Sequence, residues 1–334
     1  QDAGTNAYNT AVGHKAGEAM STGTNNTLIG AYAGDALTTG TNNVAIGRSA
    51  LTTEDAHGYN VAIGGHQVAY LKTSGRFNTY IGGYKNAAAD LTGEKNVWIG
   101  SYANQYGTDT DSTTLVGYEA GRYSTGSFNT FLGSEAGKGG QTTAPFSSGE
   151  KNVAIGYQAF DAFTTGYRNT VLGYKAGTAV TVGYSNVLIG YEGGEGVTSG
   201  YENVVIGANP SQANLQQSTF IGFNAGKEGT ANKAVGIGYR ALGAGTLTSG
   251  ADGTVAIGYE AAKALTEGQY NTFLGYEAGE GLTTGDANTY LGYNAGKSTT
   301  TYSGNTVVGY LAMSGTSPGA SNVAVGYKAM MCPT

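Results

Sequence analysis

The chain has 334 residues, among them 58 glycines, four prolines and a single cysteine, Cys332; only 12% are charged, and the formal net charge is −6. The 17 lysines and arginines are scattered rather than clustered, which leaves no basic patch for nucleic acid or an anionic membrane surface. The glycines lack collagen's three-residue period, aliphatic residues recur too regularly for disorder, no apolar run is long enough to span a bilayer, and one cysteine permits no intrachain disulfide.

A repeat begins at Asn9 and ends at Met330. Its template is N-[TV]-x-[ILV]-G-Y-x-A-G-x-x-L-T-T-G-x-x, and the Gly closing the first segment falls at 19 places, from Gly13 to Gly326; 11 of the 18 spacings are 17 residues. Each copy places Thr or Val, one variable residue, then Val, Ile or Leu before that Gly, which predicts a short strand with one buried face. Seventeen residues cannot hold a helix as well as a strand, and Gly at fixed places opposes helix. The predicted fold is therefore all-β: a parallel β-solenoid of about 19 coils with a 17-residue repeat, one continuous domain over 1–334, with Gly supplying the φ > 0 corners. At about 4.8 Å per coil it would make a rod on the order of 90 Å long. Ile189 and Leu274, at the always-aliphatic position, are expected to be fully buried.

The first coils, Asn9 to Gly64, keep the spacing of 17 and lack the Tyr column, with His14, Ala31, Arg48 and Gly65 after the Gly. Spacing drifts to 18 around Tyr80 and Trp98, which occupy the variable strand position on adjacent coils and should lie a few ångströms apart. An irregular patch over 134–151 carries the largest insertion, including Gln141 and Phe146. A second covers 208–253, and regular coils then resume. From Tyr118 onward an aromatic follows most of the anchor glycines. Strand alternation places these Tyr residues and the Ala two positions later on a covered side, with the intervening charges in water. A Tyr column is too bulky for the inside of so small a coil, so Tyr259, Tyr276 and Tyr293 are expected at an interface between identical chains.

Asn opens 15 of the 19 copies. Asn tolerates turns, but its recurrence points to a hydrogen-bonded ladder through Asn152, Asn169, Asn186, Asn203, Asn271 and Asn288. Neither end shows a recognisable cap, so the stack is expected to continue in further sequence or on another subunit.

Runs such as Asn169-Thr170-Val171-Leu172-Gly173-Tyr174-Lys175-Ala176-Gly177 and Asn152-Val153-Ala154-Ile155-Gly156-Tyr157 resemble the repeats of phage tail-fibre shafts that precede an endosialidase-type chaperone. Asn43-Val44-Ala45-Ile46-Gly47 is similar to the head repeats of trimeric autotransporter adhesins. The resemblance covers essentially the whole chain. It implies a homotrimeric rod on a virion or in an extracellular appendage, used for attachment. The chaperone and membrane-anchor parts of those families have no counterpart in this sequence.

Catalysis is not expected, nor is a cofactor or metal. His14, His57 and His66 form no H-x₃-H pair, and the calcium-binding nonapeptide is missing. Glu260 and Glu277 would stack like a glycosidase dyad; the plainer reading is a solvated column with Lys175 and Arg240 as counter-charges. The Leu-Thr-Thr corners (Thr38-Thr39, Thr164-Thr165, Thr283-Thr284) cannot form a flat ice-binding rank, because adjacent residues of an extended chain face opposite ways. Two functions remain. One is a structural shaft. The other is a rod binding a host receptor or carbohydrate, with Tyr80 and Trp98 as a stacking platform or Gln141 and Phe146 as contacts, or a subunit polymerising head to tail.

Overall fold

The computed structural model describes residues 7–53, 56–140, 143, 146–210, 214–227, 229–243, 247–315 and 319–331. Cys332 and Gln141 lie outside them. The chain divides into two compact units, Gln1–Asn169 and Thr170–Thr334. Each is a parallel β-solenoid.

The first unit holds β1 (Thr10–Val12), β2 (Thr27–Ile29), β3 (Val44–Arg48), β4 (Val61–His66), β5 (Thr79–Tyr84), β6 (Val97–Ile99), β7 (Thr114–Val116), β8 (Thr130–Leu132) and β9 (Val153–Ile155). The second holds β10 (Thr170–Leu172), β11 (Val187–Ile189), β12 (Val204–Ile206), β13 (Thr219–Ile221), β14 (Val235–Ile237), β15 (Val255–Ile257), β16 (Thr272–Leu274), β17 (Thr289–Leu291), β18 (Thr306–Val308) and β19 (Val323–Val325), with one 3₁₀ turn at Ser249–Ala251. Within each unit every strand pairs in parallel with the strand of the next coil. Repeat positions align across the ladder, as in Thr272↔Thr289 and Leu274↔Leu291 or Thr79↔Val97 and Ile81↔Ile99.

The strands bury the opposite face from the one expected. Leu188 and Phe273, at the variable middle position, are fully buried. Ile189 is only partly buried, and Leu274 is 45% exposed. A three-residue strand offers one side chain inward and two outward, and in a narrow coil the inward one must fit its particular neighbours. That position therefore varies from coil to coil, whereas the two outward columns can repeat. Beside it the core receives the Ala of the Y-x-A segment and the corner Leu, as Ala278 and Leu282.

From β6 onward the strands end before the anchor Gly, whereas β3, β4 and β5 run past it, so in the coils that carry the Tyr column alternation does not carry through to the Tyr and Ala. The residue after the Tyr is left-handed even where it is not Gly: φ is 52° at Gln158, 50° at Glu277 and 53° at Asn294. The chain turns there. Ala159 and Ala278 point into the core, while Tyr157 and Tyr276 stay exposed. The backbone N–H of each turn residue donates to the preceding coil, Glu277 to Tyr259 O at 2.8 Å and Asn294 to Tyr276 O at 2.9 Å, which offsets the cost of an αL side chain. Glycine is thus not the sole supplier of positive φ. At the anchor its necessity is steric: a Cβ on Gly275 would lie 2.4 Å from Gly292 O.

Candidate functional site

Tyr80 and Trp98 are neighbours, as their spacing implies, with ring centroids 4.9 Å apart. Both side chains are completely buried, so they are closed to a ligand and form no stacking platform. They point inward because the variable strand position is the core position. Their polar ends are satisfied inside: Trp98 Nε1 donates to Thr113 Oγ1 at 2.6 Å, and Tyr80 Oη donates to Asp90 Oδ2 at 2.5 Å. Asp90 is also paired with Lys72 at 3.0 Å, both side chains being wholly inaccessible. Lys72 Nζ donates in addition to Gly93 O at 2.8 Å, and Gly93 N–H to Asp90 Oδ1 at 3.1 Å. Lys72 and Asp90 stand at the corner that Leu37 or Leu282 fills elsewhere. Sequence reasoning missed this pair, although two charges in place of the corner Leu of L-T-T was the available signal.

Of the insertion, Phe146 is half-buried and packs 5.5 Å from Tyr106 and 6.1 Å from Tyr123. Tyr106 and Tyr123 stack at 5.2 Å with an interplanar angle of 4°. The Arg122 guanidinium lies 5.6 and 5.1 Å from those two ring centroids, and Arg122 donates to Glu119 Oε1 at 2.6 Å and to Gln105 Oε1 at 2.9 Å. Burial opposes the charge on Glu119, but hydrogen bonds from Lys138 and Tyr118, with Arg122 beside it, hold its pKa below the usual carboxylate value.

The Asn column is a ladder of mixed type. The backbone N–H of Asn169 donates to Asn152 Oδ1 at 3.0 Å, that of Asn203 to Asn186 Oδ1 at 3.1 Å and that of Asn288 to Asn271 Oδ1 at 2.8 Å. The amide nitrogens reach further round the coil, Asn186 Nδ2 to Gly200 O and Asn271 Nδ2 to Gly285 O, each at 2.8 Å. Each buried side chain so satisfies main-chain groups that the narrow coil leaves without a sheet partner. Thr113 and Ser218 keep the contact from the next coil, through their N–H groups to Asn96 Oδ1 and Asn203 Oδ1.

No protein-family model matches the chain, and no curated protein sequence matches it.

In the second unit Phe223, Tyr239, Tyr259, Tyr276, Tyr293, Tyr310 and Tyr327 form one stack. Successive centroids lie 4.9–5.5 Å apart and interplanar angles are 5–12°. The rings from Phe223 to Tyr310 are 41–45% exposed, and Tyr327 at the end of the stack is 72% exposed. Glu277, by hydrogen bonding to Tyr276, raises that phenol's pKa, which keeps the hydroxyl protonated. Two residues before each ring runs the outward aliphatic column, with Leu274 and Leu291 among its exposed members.

The acidic pair Glu260 and Glu277 is not a solvated column. Glu260 is buried and paired with Lys263 at 2.9 Å and Arg240 at 3.6 Å. Lys297 bridges Glu277 and Glu280. Glu260, Glu277 and Glu280 converge within 4.8 Å, but two lysines share their negative charge. Lys175 belongs elsewhere, its ammonium 5.6 Å from the Tyr174 ring centroid. The Thr corners spend their hydroxyls on the next coil, as Thr283 Oγ1 to Thr300 O at 2.8 Å. Among the described residues, no helix is long and apolar enough to cross a membrane.

Proposed function

We propose that the chain is a non-enzymatic structural segment of an attachment appendage, extracellular or on a virion, in which identical chains pack through the outward strand face. The observation that carries this reading is the pairing, on one side of the second unit, of an aliphatic column that is partly exposed throughout, with Leu274 and Leu291 among its more open members, with the stack of half-exposed rings. Soluble monomers rarely leave so continuous an apolar surface in water. Tyr259, Tyr276 and Tyr293 suit such a contact, because their ring edges are apolar and their hydroxyls reach polar partners at its margin. The number three, and the appendage itself, rest on the resemblance to tail-fibre shafts and trimeric adhesin heads. The absence of catalysis is supported by the lysines and arginine that occupy the carboxylates of Glu260 and Glu277.

Light scattering on the purified chain tests the reading. A particle of three chains is expected. A stable monomer whose circular dichroism shows an intact sheet would overturn it.

A further inference from the structure

The position six residues past the anchor Gly carries Tyr70, Ala88, Tyr106 and Tyr123 on four successive coils of the first unit. Three are rings; the second is a methyl group. One face of Tyr106 is covered by Tyr123, in a parallel stack at 5.2 Å, so its other face looks toward the coil of Ala88. The column therefore has a notch one coil wide. Tyr70 and Leu71 stand on one side of it, Ala88 and Ala89 form the floor, Tyr106 stands on the other side, and Gln67, Lys85 and Gln105 complete a cleft of about 260 Å³.

We infer that this notch is a saccharide-binding site that takes one pyranose ring between Tyr70 and Tyr106. Two coils separate these side chains, about 9.6 Å at the parallel-sheet repeat. A flat aromatic guest between two walls needs two carbon contacts of about 3.5–4.0 Å each, about 7–8 Å in all. The additional width suits a puckered ring with hydrogens on both faces. The rim matches its edge. Gln67 and Gln105 bring amides, which both donate and accept, and Lys85 brings three donors. Gln105 is preset, since its Oε1 accepts from Arg122 Nε at 2.9 Å and Arg122 is itself tied to Glu119; the NH₂ end is left for the ligand. Such fixing lowers the entropy lost on binding. The exposed Leu71 at the lip adds an apolar contact for ring carbons. The notch is built from residues of the first unit and the stacked column of Phe223 to Tyr327 from residues of the second, so loss of binding here and loss of association through that column are read on different residues.

The test is titration of the full chain, by saturation-transfer NMR and calorimetry, with methyl glucoside, N-acetylglucosamine, glucuronate and, as a flat control, indole. At least one pyranose should bind, and Tyr106→Ala should weaken it by about tenfold or more. Ala88→Tyr should abolish binding, because a fourth ring fills the notch and extends the existing stack. Its melting temperature should be at least that of the parent, which separates a blocked site from a damaged fold. Light scattering on the same samples reports assembly independently. Failure of every pyranose to bind, preference for indole, or binding that survives Ala88→Tyr would each overturn the inference.

Discussion

A methyl group on Gly275 would meet the carbonyl oxygen of Gly292 at 2.4 Å, and φ there is 142°, outside the range of an L side chain. The oxygen belongs to the backbone and the methyl carbon is fixed directly to Cα, so neither can swing aside. Gly275→Ala should therefore cost about 1–3 kcal/mol or more, seen as a lowered urea midpoint. The left-handed turns that follow are more tolerant. Leu51, Leu242 and Met313 adopt φ of 50–55° with their side chains in the core, because burial and an inter-coil hydrogen bond outweigh the strain. Charge is treated less kindly. Asp161 is partly buried, and burial, reinforced by Glu135 and opposed by Lys138, pushes its pKa up to about 6 from an ordinary 3.8. Between those values the folded state holds a proton that the unfolded state has lost, so stability falls as pH rises through that window. Asp161→Asn should then stabilise the protein at pH 7, by at most about 3 kcal/mol. The gain should vanish below about pH 4, where both states carry the proton. Urea melts at the two pH values read both ends.

Within one coil, the strand's inward residue and the residue four past the anchor Gly vary in opposite senses. Leu28, Phe131, Phe220, Phe273 and Tyr290 are matched by Gly34, Gly137, Gly226, Gly279 and Gly296; a Cβ on Gly279 would lie 2.4 Å from the Phe273 ring. Where the strand contributes Ala45, Ala154 or Gly236, the partner is Leu51, Phe160 or Leu242, each fully buried. In these coils a large residue at one position is offset by a small one at the other, as close packing requires; Ala256 with Ala262 and Val307 with Met313 depart from the rule. Phe273→Ala should cost about 3–5 kcal/mol, and adding Gly279→Leu should recover part of that, whereas Gly279→Leu alone should destabilise. A double-mutant cycle in urea measures the coupling. This reciprocity lay open in the sequence, and it identifies which face is buried. Attention to constancy missed it: the period, the parallel strands and the Asn column follow from residues that repeat, while the core is written in residues that compensate. Tyr80 and Trp98 looked like binding residues for the same reason. Lys72 and Asp90 obey a compensation of charge rather than size. Asp90→Leu alone should cost about 3–5 kcal/mol by stranding the Lys72 ammonium, and the double change to leucines should restore most of it.

For the molecule as a whole, the decisive surface is the one that faces away from every core. Phe273 and Leu274 are adjacent on β16, yet one is fully buried and the other is 45% exposed. A charge at each position should act on a different equilibrium. Phe273→Glu places a carboxylate inside the coil with no partner, which costs several kcal/mol and should unfold the stack locally. Leu274→Glu leaves the coil intact, because its carboxylate remains in water in the single chain. If chains pack through this face, the same carboxylate is buried at every copy of the contact and beside its symmetry mates, where like charges repel. Leu274→Glu combined with Leu291→Glu should therefore yield folded single chains, with unchanged circular dichroism and about one third of the parent's mass by light scattering. Raising the salt concentration should restore part of the assembly by screening the repulsion. If the double variant kept the parent's mass, chains would be associating through some other surface, and the stacked tyrosines beside Leu274 would need a different partner.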